Sequence, residues 1–176
     1  MIISFVGLLL ISTLLCALVT GFVFTYAVIV MPGLAKLGDK EFITAFQVTD
    51  EVIQKNQPIF MIVWIGSISF VVGTMIAAFM APHSVETALV IVTGFVYLLG
   101  VQGLTVFVHL PLNKRIQGVN VAEMDASALR EQRMQFEARW TLFNRIRTLI
   151  ACIVISSFMV ALSLNAPLMA VGVGER

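Results

Sequence analysis

Charge is nearly missing from most of this sequence. Four runs, Ile2 to Val30, Pro58 to Ala81, Thr87 to Leu112 and Thr148 to Ala166, hold no Lys, Arg, Asp or Glu. Across all 176 residues 59% are hydrophobic and 12% charged, with a mean hydropathy of +0.99. This excludes an ordinary soluble domain, which needs far more polar surface. Each run can cross a hydrocarbon core of about 30 Å as a helix. The expected fold is an all-α, four-helix transmembrane bundle, one integral membrane domain over 1–176 with spans at about 2–30, 58–81, 87–112 and 148–166. Short amphipathic helices are expected in its two long connections.

Other scarcities narrow the reading further. There are two cysteines, Cys16 and Cys152, both inside predicted spans, where small buried hydrophobes are the default and a disulfide framework is excluded. A net charge of +1 with no basic aromatic surface offers nothing to nucleic acid. The first run lacks a basic leader and far exceeds the roughly 7 to 15 apolar residues of a signal peptide, so it reads as a retained helix. Of the two histidines, His83 falls in the turn between spans two and three and His109 near the opposite end of span three. They are poor partners for a shared metal centre.

The positive charge is one-sided. Lys36, Lys40 and Lys55 follow the first span; Lys114, Arg115, Arg130, Arg133, Arg139, Arg145 and Arg147 follow the third; Arg176 stands alone on the other side. The positive-inside rule puts both long connections in the cytoplasm and both termini outside a plasma membrane.

Several local features follow in chain order. Span one is expected to stop at Met31-Pro32-Gly33, and its Ser12, Cys16 and Thr20 to serve close packing. Asp39 is a candidate cap for an amphipathic helix over 39–55, with Phe42, Phe46, Thr49 and Ile53 on its apolar face and Gln47, Asp50 and Gln54 on its flank. That helix either lies on the membrane surface or folds over the bundle mouth. In span two, Ser69, Gly73 and Ala77 have the spacing of a small-residue packing face. Between Asp125 and Pro167 there is neither Gly nor Pro, so the charged connection can continue into span four as one rod of about 40 residues.

Span three carries the most informative pattern. Gln102, Thr105, His109 and Asn113 fall within an arc of about 80° at 100° per residue. Pro111 is expected to kink or end the helix beside them. Facing partners come from the start of span four, where Trp140, Asn144 and Arg147 share one helix face. His109 is a candidate general base, since histidine's ordinary pKa of about 6.5 suits proton abstraction at neutral pH. Arg147, Asn113 and Asn144 are candidate oxyanion stabilisers. Thr105, Gln102 and Trp140 are candidate substrate contacts.

Three segments then share one pattern. Val30-Met31-Pro32-Gly33-Leu34 with Phe46-Gln47, then Pro111-Leu112-Asn113, then Arg139-Trp140 through Asn144 and Arg147-Thr148 together resemble the anthrone-oxygenase-like family of small four-helix membrane proteins. The resemblance implies oxidation of a hydrophobic anthrone- or phenol-like substrate with molecular oxygen. It also places the family's recurring polar residues on Gln47, Asn113, Trp140, Asn144 and Arg147, with Gln47 able to close over the substrate. His109 stands where the family pattern has Asn, and Arg145 where many members have His. No cofactor is expected. An alternative copper site would use His109 with Met31 or carboxylates. Lipid, the substrate and oxygen are the expected partners, and a homo-oligomer is compatible with the sequence. The competing class is a non-enzymatic membrane protein, a carrier, accessory subunit or scaffold, whose polar groups only join helices.

Overall fold

The computed structural model describes residues 5–82 and 84–171, with side chains described through 165. His83 and Arg176 lie outside the described residues. Five helices account for the architecture: α1 (Phe5–Leu34), α2 (Asp39–Gln54), α3 (Pro58–Met80), α4 (Val85–Gln117) and α5 (Ala126–Val171). All but α2 are long and apolar enough to cross a membrane, which makes this a multi-pass membrane protein.

The four long helices form a ring in which α1 packs on α3 and α5, and α4 packs on α3 and α5. With lipid on the outside there is little hydrophobic drive between helices, so close approach and buried hydrogen bonds hold the ring. Ser12 Oγ lies 2.8 Å from Thr74 Oγ1, and Ser67 Oγ lies 2.6 Å from the Tyr97 hydroxyl, which also accepts from Gln102 Nε2 at 2.8 Å. The two of these bonds that join different helices contribute roughly 0.6 to 2 kcal/mol each.

On α3 the packing face differs from the expected one. Ser67, Val71, Thr74 and Ala78 are buried, whereas Ser69 is exposed and nothing lies within 4 Å of a Cβ placed on Gly73. The hydroxyls of Ser67 and Thr74 need partners in the bundle, and that orients the helix. Close approach instead occurs on α4, where a Cβ on Gly100 would stand 2.8 Å from Ile150 Cγ2. Gly100→Val is expected to push α4 from α5 and cost about 1 to 3 kcal/mol by overpacking, read as a lower unfolding midpoint in detergent.

Pro32 in α1 and Pro111 in α4 lie within their helices. Proline lacks an amide proton and collides with the carbonyl one turn back. Each is preceded by a widened π turn, Tyr26–Val30 before Pro32 and Thr105–His109 before Pro111. The Met31 amide reaches the Tyr26 carbonyl, and the Leu110 amide reaches that of Thr105, one residue further than in an α-helix. The wider turn makes room for the ring. The stop expected at Met31-Pro32-Gly33 falls within one residue of the end of α1 at Leu34, whereas of the kink or end expected at Pro111 the end is corrected: α4 continues to Gln117.

The helix α2 folds over one mouth of the ring. Its buried face is Phe42, Ile43, Phe46 and Asp50. Thr49, expected on that face, is exposed and returns its hydroxyl to Ala45 O at 2.8 Å. Phe46 meets Phe136 at 4.6 Å and Trp140 at 5.6 Å between ring centroids, so the apolar seam of α5 is what holds this lid. Gly38, not Asp39, precedes the helix as its cap residue. Asp39 accepts from Arg133 Nη1 at 3.0 Å, while the same guanidinium donates to the carbonyls of Leu37 and Ala35 and stacks over Phe42. One side chain thus satisfies carbonyls left over at the end of α1 and ties the lid to α5.

Asn56, at φ 57°, reverses the chain from the lid into α3, a left-handed conformation that Asn tolerates better than most residues. At the start of α5, Asp125 accepts from the Ala128 amide at 2.8 Å and the Ser127 hydroxyl at 2.7 Å, which holds its carboxyl below the usual range. The charged second connection is continuous with the fourth span, in agreement with the stretch free of Gly and Pro.

Candidate functional site

Beneath the lid lies a cavity of about 390 Å³ between α1, α2, α3, α4 and α5. Its outer wall is aromatic and aliphatic, including Phe22 of α1 and Phe60 and Trp64 of α3. Phe60 stacks on Trp64 at 5.2 Å, and Phe22 meets Phe60 edge-on at 5.1 Å. The inner wall is polar. The stripe of α4 delivers Gln102, Thr105, His109 and Asn113 to it, and α5 delivers Trp140 and Arg147. Six of the eight residues expected at the site therefore share one cavity.

His109 is 2% exposed, and neither of its ring nitrogens has a hydrogen-bond partner, although the Phe143 carbonyl lies near the ring. Its ring stands edge-on to Trp140 at 5.0 Å, which fixes the imidazole plane without occupying its nitrogens. A buried polar group without a partner is uncommon and costly. Arg147 is 3% exposed. Its Nη1 donates to Thr105 Oγ1 at 2.9 Å and its Nη2 to Asn144 Oδ1 at 2.7 Å, leaving Nε unpartnered.

Asn144 is fully buried behind Arg147 and does not line the cavity. Its Nδ2 donates to the Val23 carbonyl at 3.1 Å, a carbonyl that also accepts from Thr148 Oγ1. It links Arg147 to the backbone of α1. Gln47 lies elsewhere. Its Nε2 donates to the carbonyls of Ile116 and Val119 at 2.8 and 2.9 Å, closing the end of α4. Its amide nitrogen is thus bonded away from the cavity, whose wall does not include Gln47.

Asn113 lines the wall but is spoken for at both ends. Its Oδ1 accepts from Trp140 Nε1 at 2.8 Å and its Nδ2 donates to Asp50 Oδ1 at 2.7 Å. Asp50 is the principal residue that sequence reasoning passed over. It lines the cavity from the lid, 3% exposed, and accepts also from Gln117 Nε2 at 3.0 Å and Gln54 Nε2 at 3.1 Å. Its position one helical turn after Phe46 was the available signal. Tyr26, on the π turn of α1, is a second unanticipated lining residue, packed on Trp140 at 5.6 Å.

Among the described residues no three His, Cys, Asp or Glu side chains gather as a metal-binding set. Met31, the thioether of the copper alternative, is buried in the apolar cluster under the lid and is not part of the cavity wall.

The cavity faces lipid on one side. The helix α3 packs mainly along the Val85–Val96 part of α4, reaches Tyr97 through Ser67, and packs less closely beyond it. Val106 and Leu110 are consequently both cavity-lining and exposed. Between α3 and α4 the cavity thus opens onto the apolar outer surface of the bundle.

No curated protein and no solved structure matches the chain. A family model described as anthrone oxygenase matches residues 60–157, more than half of its length. The matched part runs from Phe60 in the aromatic wall through the polar stripe of α4 to Arg147, and leaves Tyr26 and Asp50 outside. With four membrane-crossing helices of the expected order and a match over this extent, the chain belongs to the anthrone oxygenase family.

Proposed function

We propose that this protein is a membrane-embedded oxygenase that draws a hydrophobic anthrone- or phenol-like substrate from the bilayer and oxidises it with molecular oxygen. The observation that carries the reading is the buried His109, both nitrogens unpartnered, beside the unpaired Nε of Arg147 in a cavity open to lipid. His109 removes a proton from an activated CH2 group. Arg147 pairs with the enolate or phenolate oxygen that results, in a low-dielectric site where a fixed charge acts most strongly. The carbanion carbon then transfers electrons to oxygen and bonds to it, the proton on His109 returns to give a hydroperoxide, and loss of water leaves a carbonyl. One oxygen atom ends in the product and one in water, so the four electrons lost by carbon are those gained by oxygen.

Aromatic walls suit flat ring systems. Thr105 and Asn144 hold the guanidinium, and Trp140 holds the imidazole, so the reacting groups are arranged before substrate arrives. In this reading the protein sits in the plasma membrane with the lid and both long connections on the cytoplasmic side, consistent with the distribution of Lys and Arg.

Oxygen uptake by detergent-purified protein with a panel of anthrones and hydroquinones tests the proposal. Substrate-dependent uptake with a carbonyl product is expected. An inert panel would transfer the weight to a non-enzymatic carrier or scaffold.

A further inference from the structure

Arg147 carries a charge that the fold does not balance. Among the described residues the ion pairs are Lys55 with Glu51 and Arg133 with Asp39 and Glu137, and Arg147 is in none of them. Its two hydrogen bonds end on neutral oxygens of Thr105 and Asn144. A guanidinium stays protonated in proteins, and buried charges are ordinarily paired. The other charged group on the cavity wall, Asp50, is committed to Asn113, Gln54 and Gln117. Asn113 lies about two turns, roughly 12 Å, along α4 from the Thr105 that holds Arg147. At the deep end, the open donors are Arg147 Nε and, in one tautomer or the other, a nitrogen of His109.

We propose that the cavity binds its ligand as an anion: a hydrophobic weak acid whose ionised oxygen, phenolate or carboxylate, pairs with Arg147 Nε and a His109 nitrogen. Its apolar body lies against Phe22, Phe60 and Trp64 and leads to the gap between α3 and α4. Weak acidity fits the entrance. The neutral form crosses lipid, and the O–H bond breaks once the oxygen meets the guanidinium, with the proton released to solvent. A strong acid would be held at the headgroups, and a permanently neutral ligand would leave the Arg147 charge unanswered.

The inference rests on reading the cavity as a substrate site, but its test needs no turnover. A nitrophenol bearing an octyl chain reports its own ionisation by colour. Titrated in lipid nanodiscs with and without the wild-type protein, the bound probe should ionise at least about one pH unit lower than in empty nanodiscs, a tenfold preference for the anion. Arg147→Gln should remove that shift and Arg147→Lys should keep part of it. Octanoate should displace the probe and octanol should not. Displacement by octanoate assigns any hydrophobic anion to the site, and displacement only by other acidic phenols narrows it to phenolates. An unchanged or raised ionisation midpoint in the wild type, no saturable binding, or equal displacement by octanol overturns the proposal, whether or not Arg147→Gln folds. A lowered midpoint without oxygen uptake leaves this inference standing and the oxygenase reading fallen. Uptake with an unshifted midpoint does the reverse.

Discussion

His109→Ala is expected to lower substrate-dependent oxygen uptake by about 10²- to 10⁴-fold, the range associated with losing a positioned general base, while leaving the bundle folded. The reason for expecting both at once lies in the hydrogen bonds. Neither nitrogen of His109 has a partner, so truncation strands no donor or acceptor, and the space it leaves adjoins a cavity already present. A histidine serving only to join helices would behave in the opposite way, costing stability and leaving turnover alone. Oxygen-electrode rates and the thermal unfolding midpoint of the same preparation separate the two. His109→Gln sharpens the comparison because it keeps a polar group of similar size but cannot take up a proton at neutral pH. Turnover surviving in His109→Gln would remove the general-base role.

Asp50→Ala should damage the lid. The substitution removes the acceptor of three side-chain amides, those of Asn113, Gln117 and Gln54. Each donor left without a partner costs about 1 to 3 kcal/mol, partly offset because burying the carboxylate is itself unfavourable. A net loss of about 2 kcal/mol is expected, concentrated in α2. Faster tryptic cleavage at Lys40 and Lys55, which flank the buried face of the lid, is the local readout. A second readout comes from Trp140, whose indole N–H is held by the same Asn113 that bonds to Asp50. In a Trp64→Phe background its emission should shift to the red as water reaches it. Unchanged cleavage and emission would mean that Phe42 and Phe46 hold the lid without help from the carboxylate.

The two residues behave so differently because His109 has no hydrogen-bond partner and Asp50 has three, and they also differ in how far the sequence shows them. The helices were visible in the sequence because uncharged runs of bilayer length have few alternatives. The grouping of Asn144 with Arg147, and of Thr105 with His109, was visible because helical spacing puts each pair on one face. Asp50 was hidden by the same logic that worked elsewhere. On an amphipathic helix a carboxylate is ordinarily assigned to the solvent side, and two of the three amides that make its burial tolerable, those of Gln117 and Asn113, are more than 60 residues away in sequence. Gln47 misled for a related reason. An amide can contact a ligand or close a helix end equally well, and the carbonyls of Ile116 and Val119 that claim it are set by tertiary structure. Pro111 was expected to kink or end the helix because the ordinary α-helix offers no room for it, and nothing in the local residue types announces a π turn.

Those π turns bear on how the family can vary. A π turn is an α-helix carrying one extra residue, and the two described above, together with a third at Tyr97–Gly103 in α4, hold Tyr26, Gln102, Thr105 and His109, four of the cavity's polar residues. Loss of one residue from such a turn would restore the α-helix and swing the chain on one side of it by about 100° relative to the other. The chemistry of this cavity is therefore tied to chain length as firmly as to residue identity. Lipid-facing positions such as Phe107 can exchange among apolar side chains, but within α4 a deletion is not a neutral change even where the residue removed touches nothing but lipid.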